Sequence, residues 1–156
     1  MIIILTQCFP PAIGGVENLI ENLSIELSKT HEVLVLADQN DKNNDSYFDS
    51  KYNEIISIKR IRGIKFLRKR KKLSELKKLL FSNKISHVIA DSWKSLELTI
   101  DTLNLKSVPS ICLAHGNELI TDNSKKKFRV INTLNKVTCI VTNSNFTSTL
   151  VKDTGT

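Results

Sequence analysis

No stretch of this 156-residue chain is long and apolar enough to span a bilayer, and the opening Met1-Ile2-Ile3-Ile4-Leu5 run lacks the basic lead and length of a secretory signal. The expected compartment is the cytoplasm. Cysteine is scarce: Cys8, Cys112 and Cys139 are odd in number and lack the paired spacing of a zinc site or redox pair, so reduced thiols are expected. Cys112 and Cys139 read as core residues, and Cys8 as a loop thiol without an activating partner in sequence. His31, His87 and His115 stand far apart with no metal-ligand pattern around them, so no metal is expected. There is no G-x-G-x-x-G after the first strand, no G-x-x-x-x-G-K-Ser/Thr and no G-x-S-x-G, which takes most of the support from the classical dinucleotide, P-loop and hydrolase readings. Internal repeats and interdomain linkers are also lacking. The sequons at Asn22, Asn44 and Asn145, without a secretory signal, read as chance matches.

What the chain does have is an ordinary hydrophobic fraction of 40%, enough at this length for one α/β domain with a core. Apolar runs alternate with helical patterns, the signature of repeated βα units. Strands are expected at Ile2 to Thr6, Glu32 to Ala37, Ile55 to Lys59, His87 to Ala90, Ser110 to Leu113 and Cys139 to Thr142. Helices are expected near Val16 to Ser28, Phe66 to Phe81, Ser95 to Leu103, Ser124 to Leu134 and Ser144 to Lys152. The resulting fold is a Rossmann-like, doubly wound, mainly parallel sheet flanked by helices. Asp38 through Tyr52, polar and without periodicity, reads as a surface excursion.

The segment Cys8-Phe9-Pro10-Pro11-Ala12-Ile13-Gly14-Gly15-Val16-Glu17 lies between the first strand and an amphipathic helix carrying Val16, Leu19, Ile20, Leu23 and Leu27 on one face. A helix N-terminus offers unpaired N–H groups and the positive end of the macrodipole, so Gly14 and Gly15 are candidates for holding a phosphate. The alternative is a strand-to-helix turn with no ligand.

Three further segments follow predicted strands on the same sheet edge: Asp91-Ser92-Trp93, Ala114-His115-Gly116-Asn117-Glu118 and Asn143-Ser144-Asn145-Phe146-Thr147. Their convergence defines one cleft. His115 either meets a substrate hydroxyl or phosphate or serves as a structural hydrogen-bonder. Glu118 either binds a sugar hydroxyl, acts as a base, or stands at a helix start or surface. Trp93 stacks on a sugar or lipid face or packs in the core, and Ser144 or Asn145 caps the last helix or contacts ligand.

The formal charge of +7 is concentrated between Lys59 and Lys78, where Glu75 is the only acid. Lys65, Phe66, Arg68, Lys69, Arg70, Lys71 and Lys72 are candidates for contact with an anionic membrane, the alternative being a solvated helix face. Nucleic acid is not expected as a partner, because aromatic interleaving is sparse and no recognised motif occurs.

The ordered set Phe9-Pro10-Pro11 with Gly14-Gly15-Val16-Glu17, then His115-Gly116-Asn117-Glu118, then Asn143-Ser144-Asn145-Phe146-Thr147 followed by Gly155, resembles the N-terminal half of GT-B-fold retaining glycosyltransferases of family 4. That resemblance implies transfer of a sugar from a nucleotide diphosphate sugar, with retention, to a glycan or lipid-linked acceptor held mainly by this acceptor-side domain, residues 1–156. It implies that Gly14 and Gly15 meet the donor diphosphate, that His115 faces the transferred sugar as the catalytic residue, and that Ser92, Trp93, Asn117, Glu118 and Ser144 are available to acceptor or sugar. No cofactor or metal is implied. A second Rossmann-like domain binds most of the nucleotide in the family, so this chain is expected to need that domain or a partner subunit, and to be inactive alone. Sugar-nucleotide epimerases, phosphorylases and noncatalytic binders on the same scaffold are the alternatives.

Overall fold

The structure, a computed structural model, describes residues 1–82 and 84–154. Six strands, β1 (Ile2–Thr6), β2 (Val33–Asp38), β3 (Ser57–Ile61), β4 (His87–Ala90), β5 (Ser110–Ala114) and β6 (Cys139–Thr142), form one all-parallel sheet in the order β3-β2-β1-β4-β5-β6. The helices are α1 (Gly15–Ser28), α2 (Lys42–Ser50), α3 (Lys65–Ser82), α4 (Trp93–Leu96), α5 (Ile100–Leu105), α6 (Ser124–Leu134) and α7 (Asn145–Lys152). This is the Rossmann-like architecture expected.

β1 shows why the sheet is buried on both faces. Its β-branched and leucine side chains alternate, Ile3 and Leu5 joining one core layer with Leu76, Trp93, Leu96 and Leu134, and Ile2 and Ile4 joining the other with Phe9, Ile20 and Val35. All are at most 5% exposed, each worth about 1.5–3 kcal/mol of burial. The strand order reverses between β1 and β4, so their following chains leave in opposite directions and open a crevice at the carboxyl edge.

Several elements depart from their periodicity. The segment read as a surface excursion contains α2, capped by Asp41, whose Oδ1 accepts from the N–H groups of Asn43 and Asn44 at 2.9 and 3.1 Å. Asp45, fully buried, accepts from the N–H of Asn40, and Phe48 lies edge-on to Phe9 and stacked on Tyr52. Capping and a buried charge hold this helix, and neither leaves an apolar repeat. The single helix expected over Ser95 to Leu103 is broken into α4 and α5, where the Thr99 hydroxyl bonds the Leu96 carbonyl at 3.0 Å and competes with the helical ladder. β3 begins later than expected because the Tyr52 carbonyl accepts from both Ile55 and Ile56 in a turn. Cys139 is exposed on the edge strand β6 instead of in the core, and Leu19 is 44% exposed on the outer side of α1.

The basic stretch is not one solvated face. Lys72 is 4% exposed, pairs with Asp38 at 2.6 Å and donates to the Thr6 carbonyl; burial outweighs Asp38 and pulls its ammonium below the ordinary value. Arg68 also faces Asp38 and donates to the Gln39 carbonyl at 2.8 Å, while Lys69 pairs with Glu97 at 2.9 Å. These three cations are drawn inward by carboxylates that lie far away in sequence. Lys65, Phe66, Arg70 and Lys71 stay exposed, with the Arg70 guanidinium 4.4 Å above the Phe66 ring. Among the described residues no helix is long and apolar enough to cross a membrane.

Candidate functional site

The crevice between β1 and β4 holds a cavity of about 440 Å³ bounded by Gln7, Cys8, Val16, Asp91, Ser92, Lys94, His115, Asn117, Glu118 and Lys126. A larger hollow of about 600 Å³ lies against the edge strand β6, but among the described residues Lys152 is the only charged side chain on its wall. Convergent polar chemistry belongs to the first.

Asp91 organises this cavity. It is 2% exposed, and its Oδ2 accepts from the Thr6 hydroxyl at 2.8 Å and the N–H groups of Gln7 and Cys8 at 2.7 and 3.3 Å. Its Oδ1 accepts from the hydroxyls of Ser95 at 2.5 Å and Ser92 at 3.2 Å. One carboxylate at the end of β4 therefore fixes the chain leaving β1 and the start of α4. From the other side, Arg60 on β3 donates to the Pro10 carbonyl, and its guanidinium stands 5.2 Å from the Phe9 ring. The loop that carries the glycines is held from the end of β4 on one side and from β3 on the other.

His115 follows β5. Its Nε2 is 2.8 Å from the Asp91 carbonyl oxygen, and since a carbonyl only accepts, Nε2 carries the proton. Nδ1 is then the nitrogen left for a ligand, an acceptor while the ring is neutral. The turn is set by Gly116 at φ +102°, where a Cβ would both strain the backbone and come within 3.1 Å of the Thr147 hydroxyl. Glu118 reaches back to accept from the His115 N–H at 2.8 Å, so one carboxylate oxygen holds the turn while the residue still borders the cavity.

Gly14 is the N-cap of α1 and offers no side-chain cap, in contrast to Asp41, Asn123 and Ser144 at α2, α6 and α7. Its φ of 177° is ordinary extended backbone, so conformational freedom does not explain this glycine. The Glu17 Oε2 lies 2.1 Å from where a Gly14 Cβ would stand, so a side chain there would only turn the flexible end of Glu17 aside. A Cβ on Gly15 would meet nothing within 4 Å, so that half of the bend is open. Burial first, then the charges of Asp91 and Glu17, push the Cys8 thiol up to about 11, which keeps it protonated and unreactive.

The other sequence candidates are placed as follows. Ser92, Asn117 and Glu118 border the cavity together with His115. Trp93 is 2% exposed in the core, its indole N–H directed at the Glu118 carbonyl, so it lies beneath the site and presents no stacking face. Ser144 caps α7 by accepting from the Thr147 N–H at 3.1 Å and is not among the residues lining the cavity. Gly155 lies outside the described residues. Sequence reasoning missed Gln7, Lys94 and Lys126. Lys94 follows a strand-end segment already singled out, whereas nothing local marks Lys126.

A parallel sheet in this order, with its polar cavity at the point of reversal, is a Rossmann-type domain. The model of Glycosyltransferase Family 4 matches residues 13–156, and the chain belongs to that family. No curated protein matches the sequence. Among solved structures, Anabaena HepE (Alr3699) in complex with UDP is 15% identical with a TM-score of 0.71 over 99% of this chain and 40% of its own. The same protein with UDP-glucose gives 15%, 0.68, 99% and 41%. The lipopolysaccharide outer core galactosyltransferase WaaB, in its apo form, is 14% identical with a TM-score of 0.65 over 100% of this chain and 43% of its own. At these identities the likeness is one of fold. The chain spans about two fifths of the length of these proteins.

Proposed function

We infer that this chain is the acceptor-side half of a retaining sugar transferase that uses a nucleotide diphosphate sugar. The observation that carries the reading is the His115 ring, locked by the Asp91 carbonyl with Nδ1 left for a ligand, in a cavity bordered by the loop that leads to the uncapped start of α1. The donor diphosphate would lie along the open Gly15 side of that helix end, displacing the Glu17 carboxylate, and Lys94 and Lys126 would balance its charge. His115 Nδ1 would accept from a hydroxyl of the transferred sugar and orient it. As the bond from the anomeric carbon to the diphosphate oxygen breaks and the bond to the acceptor oxygen forms on the same face, the departing phosphate oxygen takes the acceptor's proton. The protein supplies position and electrostatics. Residues Ser92, Asn117 and Glu118 are the groups nearest for the acceptor hydroxyls, and a second nucleotide-binding unit would complete the donor site. Likeness to proteins solved with UDP and UDP-glucose supports this donor class. The exposed start of α3, with Lys65, Phe66, Arg70 and Lys71, is the part of the basic stretch that would touch an anionic membrane.

Gly15→Asp tests the donor placement. The open space at Gly15 admits the side chain, and an acid in the first turn of a helix favours folding, so thermal stability is expected to hold. UDP-glucose affinity, followed by ligand-observed NMR, should fall at least about tenfold because a carboxylate now occupies the diphosphate position. Unchanged affinity would remove the diphosphate from this helix end.

A further inference from the structure

At the end of β1 the protein's own donors take up the acceptors. The Leu5 carbonyl accepts from the Asp91 N–H at 3.1 Å, the Thr6 carbonyl from Lys72, and the Cys8 carbonyl from the Thr6 hydroxyl at 2.7 Å. Both Asp91 carboxylate oxygens are engaged, and the Asp91 carbonyl holds His115 Nε2. One donor is left over. Gln7 borders the cavity of about 440 Å³, yet its Nε2 is buried and has no hydrogen-bond partner among the described residues.

Asp91 Oδ2 fixes the Gln7 backbone N–H at 2.7 Å, so only the side chain is able to turn. A buried amide donor without an acceptor destabilises the fold, and native chains leave few of them. One placed on the wall of a ligand cavity gains its acceptor with the ligand. A half-turn about the last torsion, a soft sp³–sp² bond, exchanges the amide nitrogen and oxygen and presents the N–H groups to the cavity. The neighbours decide what that acceptor is. The buried Asp91 carboxylate, bonded to the Gln7 backbone, repels a phosphate oxygen brought to the same spot, whereas a neutral hydroxyl oxygen meets no such repulsion.

We propose that Gln7 sets sugar specificity, its amide N–H donating to a hydroxyl oxygen of the transferred sugar. The proposal rests on the sugar-transfer reading for the identity of the ligand. His115 Nδ1 and Gln7 then divide the recognition: the imidazole nitrogen accepts from one hydroxyl and the amide donates to another. A site with a buried donor rejects analogues that lack the matching oxygen, because their binding leaves that donor unpaired.

The test compares the wild-type chain with Gln7→Met, which keeps the length of the side chain and removes the amide, by ligand-observed NMR titration with UDP-glucose and with UDP. UDP-glucose should bind the variant about fivefold more weakly, while UDP binds both alike. The thermal midpoint of Gln7→Met should rise by about 2–4 °C, since an orphaned donor has been removed. A side chain that served the fold alone would give a lower midpoint, and that result would overturn the proposal. Equal weakening of UDP would move the contact to the diphosphate, and unchanged affinity for both ligands would leave Gln7 out of recognition; either outcome refutes the sugar contact. In the ¹⁵N-labelled wild-type chain the Gln7 side-chain N–H₂ pair should shift with UDP-glucose and stay in place with UDP, a readout that needs no variant to fold. A wild type that does not bind UDP-glucose would remove the donor reading and this contact together. A wild type that binds, beside a variant that binds equally well, would remove Gln7 alone and leave the donor reading standing.

Discussion

Replacing Asp91 by alanine is expected to cost the folded state about 3–5 kcal/mol, a large share of a domain's usual stability. The reason is the number of groups that depend on one buried carboxylate. Two backbone N–H groups and the hydroxyls of Thr6, Ser92 and Ser95 all point at it; alanine takes this acceptor from the Gln7 N–H and the two serine hydroxyls, while the Thr6 hydroxyl keeps the Cys8 carbonyl and the Cys8 N–H keeps the Thr6 hydroxyl oxygen. Each buried, unsatisfied group costs about 1–3 kcal/mol, and the total falls short of the sum because side-chain hydroxyls can turn elsewhere. Asp91→Asn should be intermediate, near 2 kcal/mol, because its amide can accept on one side while opposing donors on the other. Urea unfolding with an unchanged slope is the measurement. A loss below about 1 kcal/mol for the alanine variant would mean that the junction of β1 and β4 is held by other contacts.

Arg60→Ala is expected to have a comparable effect, about 3–5 kcal/mol, for a different physical reason. Its guanidinium is 6% exposed, pairs with Asp49 at 2.7 Å and stands 3.8 Å from Asp45, which is itself 1% exposed. Alanine strands both carboxylates and also removes the donor from the Pro10 carbonyl. Arg60→Met combined with Asp45→Asn and Asp49→Asn should recover part of the loss, since removing all the charges is cheaper than removing one sign. Amide hydrogen exchange should register the damage first in Lys42–Ser50 and in the loop after β1. A stability unchanged to within about 1 kcal/mol would show that α2 docks through its aromatics alone.

What the sequence revealed tracks the strength of local signals. β1 is a run of apolar residues that must be covered on both faces, and α6 ends where its apolar repeat ends, so both were readable residue by residue. The strand ends that carry His115 and Asp91 follow from the same pattern, which is why the cleft could be placed before any side chain was known. α2 was not readable because its stability comes from Asp41, Asp45 and a distant arginine, none of which has a period. The inward turn of Lys72 likewise depends on Asp38, thirty-four positions earlier, and a charge run in sequence cannot show which members find a buried partner. Gly14 was readable as part of the bend, but neither a positive φ nor a rigid neighbour requires glycine there. For Trp93 the sequence left stacking and core packing both open, and its bulk fills the layer beneath the cleft.

The most direct test is a heteronuclear NMR titration of the ¹⁵N-labelled chain with UDP-glucose. Saturable shifts are predicted at Gly15, Val16, Asp91 to Lys94 and His115 to Asn117, with the β6 hollow around Cys139 and Ser148 unaffected. Shifts confined to that edge hollow, or none at the end of β5, would contradict sugar-nucleotide binding at the reversal point of the sheet.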